Sequence, residues 1–295
     1  MKLSDQYQIV NVLGNQSRRK FGNVYLVERR TDGKQLVMKH IQLDATETHL
    51  IERATREATF TFQLEGLPLV IEQIHSETEF ALIKDYTPGI PLDDYWQSIP
   101  KKQHISELIR ILHALEPLFD ALKDNGIVHC DVKPSNILIH NIKNHIDVQL
   151  IDFGLAIRQK EENQFKLLFP LGFASPELLL NRLNCVDHSS DLFALGITIW
   201  KLFVGQLPLI HPNPSIFTNL QLTYPLPDHS NLPKGLYPIL QKMCFKHQFK
   251  TAPNRMNTND VDALLFEANR NRYQRLNDVI QDLKQIPQKK SWWSF

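Results

Sequence analysis

Cysteine is scarce in this chain. Cys130, Cys185 and Cys244 are the only three in 295 residues, odd in number and without paired spacing. That argues against a disulfide framework or a cysteine zinc cluster, and it fits a reducing, cytoplasmic setting. Net charge is nearly absent as well, with 33 Lys and Arg against 32 Asp and Glu. No global pull toward nucleic acid, acidic lipid or anionic substrate follows, so neither nucleic acid nor a membrane is the expected partner. Long apolar runs are missing too. The most apolar stretch, Leu192–Gly205, contains Lys201 and is too short for a bilayer, so it reads as a buried core helix. The opening residues MKLSDQYQIV lack the apolar core and cleavage site of a secretory signal. No internal repeat or low-complexity tract is visible. What is present, at 42% apolar composition, is enough material for one large domain or two modest ones.

The first ninety residues read mostly as strands. Gln8–Leu13, Asn23–Glu28 and Gln35–Ile41 are short β-rich runs, the last two parted by the turn signal Thr31-Asp32-Gly33-Lys34. The steps of four from Leu50 to Ala54, Ala58 and Phe62 predict a helix over 46–64. Strands are then expected near Leu69–Ile74 and Phe80–Tyr86, before a break at Pro88-Gly89. Beyond that break the pattern turns helical. Leu108, Leu112, Leu115, Phe119 and Leu122 predict a helix over 105–125, at a cost from Pro117, with Gly126 as its stop. Ile137–Ile139 and Val148–Ile151 form a hairpin, and helices and proline-rich loops follow. The expected fold class is α+β, with a small antiparallel-sheet lobe, a short hinge and a larger helical lobe. Ligands favour the cleft of such an arrangement.

Three clusters carry chemistry. His129-Cys130-Asp131-Val132-Lys133-Pro134-Ser135-Asn136 precedes one hairpin strand, Asp152-Phe153-Gly154 follows the other, and Lys39 stands inside an apolar strand. Each alone has a bland reading as a turn residue, a chance tripeptide or a solvated edge lysine. Together they set two oxygen ligands around one hairpin with basic residues beside them, which suits a hard divalent cation and a polyphosphate.

These motifs, in this order, resemble those of the Hanks-type serine/threonine protein kinases in their compact bacterial form. The resemblance implies a bilobal kinase domain over residues 1–286, with a sheet lobe at about 1–86, a helical lobe at about 91–286 and an aromatic tail at 287–295. It implies ATP and Mg²⁺ (or Mn²⁺) as cofactors and a protein substrate. By that likeness Asp131 is the catalytic base, Lys133 neutralises the transferring phosphoryl group, and Asn136 and Asp152 are the metal ligands. Lys39 holds the α- and β-phosphates with Glu57 as its helix partner. Leu13, Gly14, Gly22 and Val24 belong to the glycine-rich loop, Val24, Val37 and Leu138 enclose the adenine, and the backbone of Asp85 and Thr87 hydrogen-bonds it. Ser175-Pro176-Glu177 resembles the close of the activation segment, and Asp191 opens the buried helix. Arg272, in preference to Arg255, is the expected partner of Glu177.

Several positions depart from the family pattern. Gly14 and Gly22 stand further apart than its outer glycines, the middle glycine is absent, and Ser17-Arg18-Arg19-Lys20 fills the loop. A looser lid is preferred over direct phosphate contacts by these basic residues. Between Asp152 and Pro176 the only hydroxyl side chain is that of Ser175, and Cys130 replaces the arginine that commonly pairs with an activating phosphate. Activity without activation-loop phosphorylation is therefore expected. Pro170 falls where a threonine usually bridges the catalytic aspartate and lysine. Lys84 falls at the back of the nucleotide pocket, where an apolar residue is usual; it must meet an acid such as Glu57 or Asp152, or the register is off by one. The leading reading is an active kinase, with a non-catalytic pseudokinase scaffold as the alternative and a small-molecule kinase third. A regulatory partner would act at the lid or at the Trp292-Trp293 tail, which itself is expected to pack on the helical lobe.

Overall fold

The computed structural model describes residues 3–14, 22–42, 48–76, 78–142, 145–159, 169–249 and 251–287. The chain divides into two compact units, Met1–Gly89 with Gln149–Gly154, and Ile90–Val148 with Leu155–Phe295. The basic loop 15–20 and the tail from 288 onward lie outside the described residues.

The first unit opens with a short helix, α1 (Leu3–Gln6), and is built on five antiparallel strands. These are β1 (Tyr7–Leu13), β2 (Asn23–Arg29), β3 (Gln35–Gln42), β4 (Val70–His75) and β5 (Glu79–Asp85), in the order β1-β2-β3-β5-β4. Alternation along β3 sorts its side chains between two faces. Leu36 and Met38 join Tyr7, Val27, Ala81 and Ile83 on one face. Ile41 joins Phe80 and Leu82 on the other, where α2 (Thr48–Ala58) packs through Leu50, Ala54 and Ala58. Burying a leucine such as Leu50 contributes about 1.5–3 kcal/mol.

The helix expected to reach residue 64 ends at Ala58. Thr59-Phe60-Thr61-Phe62 is β-branched and aromatic, poor helix material, and its polar groups find other partners. Thr61 Oγ1 accepts the Val70 N–H at 3.1 Å, and the Phe62 N–H donates to the Pro68 carbonyl at 3.0 Å. Phe62 thereby leaves the helix stripe and packs on Phe153, ring centroids 5.4 Å apart.

The second unit carries β6 (Ile90–Pro91), α3 (Leu92–Gln97), α4 (His104–Asp124) and β7 (Ile127–Val128). The hairpin β8 (Ile137–Ile142) and β9 (His145–Leu150) follows, the last two residues of β9 falling in the first unit, with β10 (Ile157–Arg158) pairing back to β7. Helices α5 (Pro176–Leu179), α6 (His188–Val204), α7 (Pro214–Thr223), α8 (Leu236–Met243), α9 (Thr258–Asn271) and α10 (Leu276–Lys284) complete it. The apolar run is α6, buried from Ser189 to Trp200. Asp187 and Ser190 cap its start reciprocally, and Gly205, at φ 89°, ends it in a left-handed turn. α4 continues unbroken through Pro117 and packs on α10. Among the described residues no helix is long and apolar enough to cross a membrane.

Candidate active site

In the first unit the strand register aligns the phosphate-side candidates. Leu13 pairs with Val24, Val24 with Lys39 and Lys39 with Leu82, so all four share one sheet face. Val37 pairs with Lys84 on that same face, two residues along. α2 lies over it and presents Glu57, which is 2% exposed. Lys39 Nζ donates to Glu57 Oε2 at 2.5 Å, and Lys84 Nζ donates to Glu57 Oε1 at 2.5 Å. The register is therefore sound, and the odd lysine has found one of its two expected acids. Burial opposes the charge of Lys39, but Asp152 and Glu57 outweigh it and raise its pKa. Burial likewise opposes the charge of Glu57, yet Lys39 and Lys84 hold its carboxyl below the usual range.

Asp152 belongs to this unit as well. Its Oδ1 lies 3.5 Å from Lys39 Nζ, and Arg53 Nη2 reaches Oδ2 at 3.2 Å. Arg53 precedes Glu57 by one turn of α2, so one helix face serves both carboxylates. Gly154 allows this close approach, since a Cβ there would meet Arg53 Nε at 2.4 Å. Sequence reasoning missed Arg53, and the only signal was that i, i+4 spacing to Glu57. Gly22, at φ 91°, lies against the His40 carbonyl, where a Cβ would sit at 2.8 Å. Gly14 is also left-handed, at φ 78°, but in open space. The Asp85 N–H is committed to the Leu69 carbonyl at 2.9 Å, while Thr87 lies in the segment after β5.

The second unit gathers Asp131, Lys133 and Asn136. Lys133 Nζ bonds both carboxylate oxygens of Asp131 at 2.8 Å, and Asn136 Nδ2 donates to Asp131 Oδ2 at 3.0 Å and to the Asp131 carbonyl at 2.9 Å. Lysine and aspartate thus meet directly, without the hydroxyl that Pro170 cannot supply. With both amide contacts made through nitrogen, Asn136 keeps its Oδ1 for a hard cation, and Asp152 offers carboxylate oxygens. Each is a hard oxygen donor of the kind Mg²⁺ takes, an ion that uses few protein ligands and draws the rest from phosphate and water.

The loop bearing Asp131 is pinned from below. Asp191, at the start of α6, accepts the N–H of His129 at 2.7 Å and of Cys130 at 2.9 Å, which holds Cys130 at φ 62°. Burial pushes Asp191 up to about 7, against the pull of these two amides toward the charged form. The Cys130 side chain lies in an apolar cluster with Val128, Leu155, Ile157, Ala174, Leu178 and Val186. Leu138 sits on β8, paired with Pro91. Further along, Arg272 Nη1 and Nη2 grip Glu177 at 2.7 and 3.2 Å, both side chains fully buried, while Arg255 is exposed. That decides between the two arginines.

Residues 7–259 match the family model described as the protein kinase domain. The chain belongs to the protein kinase family. It is 28% identical to the serine/threonine-protein kinase PrkC of Bacillus subtilis over 70% of this chain and 32% of that protein. It is 27% identical to the serine/threonine-protein kinase pkn2 of Myxococcus xanthus over 73% of this chain and 26% of that one. A fish relative, serine/threonine-protein kinase SBK1 of Danio rerio, is 25% identical over 73% of this chain and 55% of its own length. This kinase chain spans from a quarter to about half of those relatives' lengths. The protein kinase family and the fold class expected from the sequence are thus borne out, and these relatives are serine/threonine-protein kinases by name.

Proposed function

We propose that the chain is an active ATP- and Mg²⁺-dependent kinase of serine or threonine in a protein substrate. The observation that carries this is the Asp131 carboxylate, 2% exposed in residue terms and held by both Lys133 and Asn136. Fixed in this way, it accepts the proton of the substrate hydroxyl as the oxygen bonds the γ-phosphorus and the bond to the bridging β–γ oxygen breaks, releasing ADP. Lys133 offsets charge at that carboxylate and on the phosphoryl group. Lys39, steadied by Glu57, holds the α- and β-phosphates, with Leu13, Gly14, Gly22, Val24, Val37 and Leu138 about the nucleotide and the Asp85 and Thr87 backbone toward adenine. Asn136 Oδ1 and Asp152 hold the metal, which when bound neutralises phosphate charge.

No activating phosphate is needed on this reading. Ser175, the only hydroxyl residue between Asp152 and Pro176, is fully buried at the start of α5. Cys130 fills an apolar cluster where a phosphate's arginine would otherwise stand. The three cysteines are buried and not joined in disulfides, which supports a cytoplasmic setting.

Labelled ATP and Mg²⁺, with a generic protein acceptor, test the proposal beside Asp131→Asn. Loss of the base lowers transfer by about 10²–10⁴-fold with ATP still bound. ATP binding by the unaltered chain without transfer would overturn the proposal and leave a nucleotide-binding scaffold.

A further inference from the structure

Glu57 steadies Lys39, yet it stands in the last turn of α2 and not on the sheet. Lys39 has other duties. Its ammonium lies 2.5 Å from Glu57 and 3.5 Å from Asp152, and on the reading above it also takes the α- and β-phosphates. Lys84 is differently placed. Its ammonium lies 2.5 Å from Glu57 Oε1, and among the described residues Glu57 is the only acid paired with it. Lys84 belongs to β5, an interior strand between β3 and β4. α2 already rests on that strand through Leu50, Ala54 and Ala58 against Phe80 and Leu82. The Lys84–Glu57 bond is thus a second, polar tie between the same helix and the same strand. Drawing a buried carboxylate away from a cation is costly, because little water is there to replace it.

In protein kinases the strand lysine and the helix glutamate must be paired for transfer, and activation-loop phosphorylation commonly controls that pairing. Here Ser175 is the only hydroxyl residue between Asp152 and Pro176, and it is buried. The Lys39–Glu57 pair is formed all the same. We propose that Lys84 stands in for the activating phosphate: it is a positioning residue that holds Glu57, and with it α2 and Lys39, in the paired arrangement without any modification. An apolar residue at 84 would leave Glu57 to Lys39 alone, and α2 would loosen whenever Lys39 turned to another anion. This inference rests on the kinase reading above and adds its regulation.

Transfer from ATP with Mg²⁺ to a generic protein acceptor tests it on the full chain, beside amide hydrogen exchange along α2. Lys84→Met keeps the length without charge, Lys84→Leu restores an apolar residue, and Lys84→Arg keeps the charge. Loss of one charged hydrogen bond lowers kcat about tenfold in the Met and Leu variants, and Lys84→Arg stays within about threefold of the parent. Exchange along α2 speeds about tenfold in the two neutral variants, while that of β3 does not change. The parent keeps its rate after phosphatase treatment. An unchanged kcat or unchanged α2 exchange in both neutral variants, or a loss in Lys84→Arg matching theirs, would each overturn the inference. So would a kcat loss that merely follows the fraction unfolded, or a parent silenced by phosphatase. Failure of the parent to transfer phosphate at all would instead overturn the kinase reading beneath it.

Discussion

Glu57 and Glu177 are both buried glutamates, and they are neutralised in opposite ways. Glu177 meets one arginine through both oxygens and takes the Ser190 hydroxyl at 2.6 Å. Arg272 also donates from Nε to the Phe245 carbonyl at 2.9 Å and lies over the Phe193 ring. Charge and hydrogen bonds close on themselves there, tying α5, α6 and the segment after α9 together. Glu57 instead faces two lysines, one on each oxygen. A planar guanidinium suits a fixed, bidentate contact, whereas an ammonium is a point charge that serves two acceptors at once. The closed pair is built to hold the fold. The other glutamate holds the lysine proposed to bind phosphate.

Breaking the closed pair is the larger insult. Arg272→Ala leaves Glu177 buried without its counter-ion, and we expect about 3–5 kcal/mol off the unfolding free energy in urea titration. Glu177→Gln with Arg272→Met removes both charges and recovers much of that loss. Equal destabilisation by the single and double variants would show that lost packing, not the stranded charge, is responsible. Opening the other cluster acts on chemistry more than on stability. Lys39→Met should lower phosphoryl transfer about 10²–10³-fold, the range for removing one preorganised donor, with the unfolding midpoint little changed. An unfolding loss as large as that of Arg272→Ala would erase the contrast between the two sites.

Much of this was legible in the sequence, for reasons that differ by element. Leu36, Val37, Met38 and Ile41 read as a mostly apolar run because β3 is packed on both faces, and the apolar run at 192–205 reads as core. The order of motifs singled out Lys39, Glu57, Asp131, Lys133, Asn136 and Asp152 as candidates. Arg53 escaped notice because an arginine on an amphipathic helix ordinarily points to water, and only the fold brings Asp152 to it. The end of α2 was missed because Phe62 continues the four-residue step while answering to Phe153, a partner 91 residues away that periodicity cannot see. Grouping of Gln149–Gly154 with the first unit likewise depends on pairing, such as the Leu150 N–H to the Gly66 carbonyl at 2.8 Å. Lys84 announced itself only as an anomaly; its meaning needed Glu57 beside it.

The smallest effect is a dependence on acid. Burial acts to raise the Glu177 pKa, but Arg272 and Ser190 outweigh it and hold the carboxyl below its ordinary value of 4.5. A depressed folded-state pKa means that the unfolded chain takes up the proton first. The pair's contribution is therefore whole above the ordinary glutamate range and drains away as pH falls from there through the depressed folded value. Unfolding free energies measured from pH 6 down to pH 3 should show the parent losing stability faster than the Glu177→Gln, Arg272→Met variant. One proton limits the extra slope to about 1.4 kcal/mol per pH unit. Other carboxylates titrate alike in both proteins and cancel in the difference. Parallel curves would mean that Glu177 does not titrate with unfolding in this range, and the pair's charge would then contribute nothing to acid sensitivity.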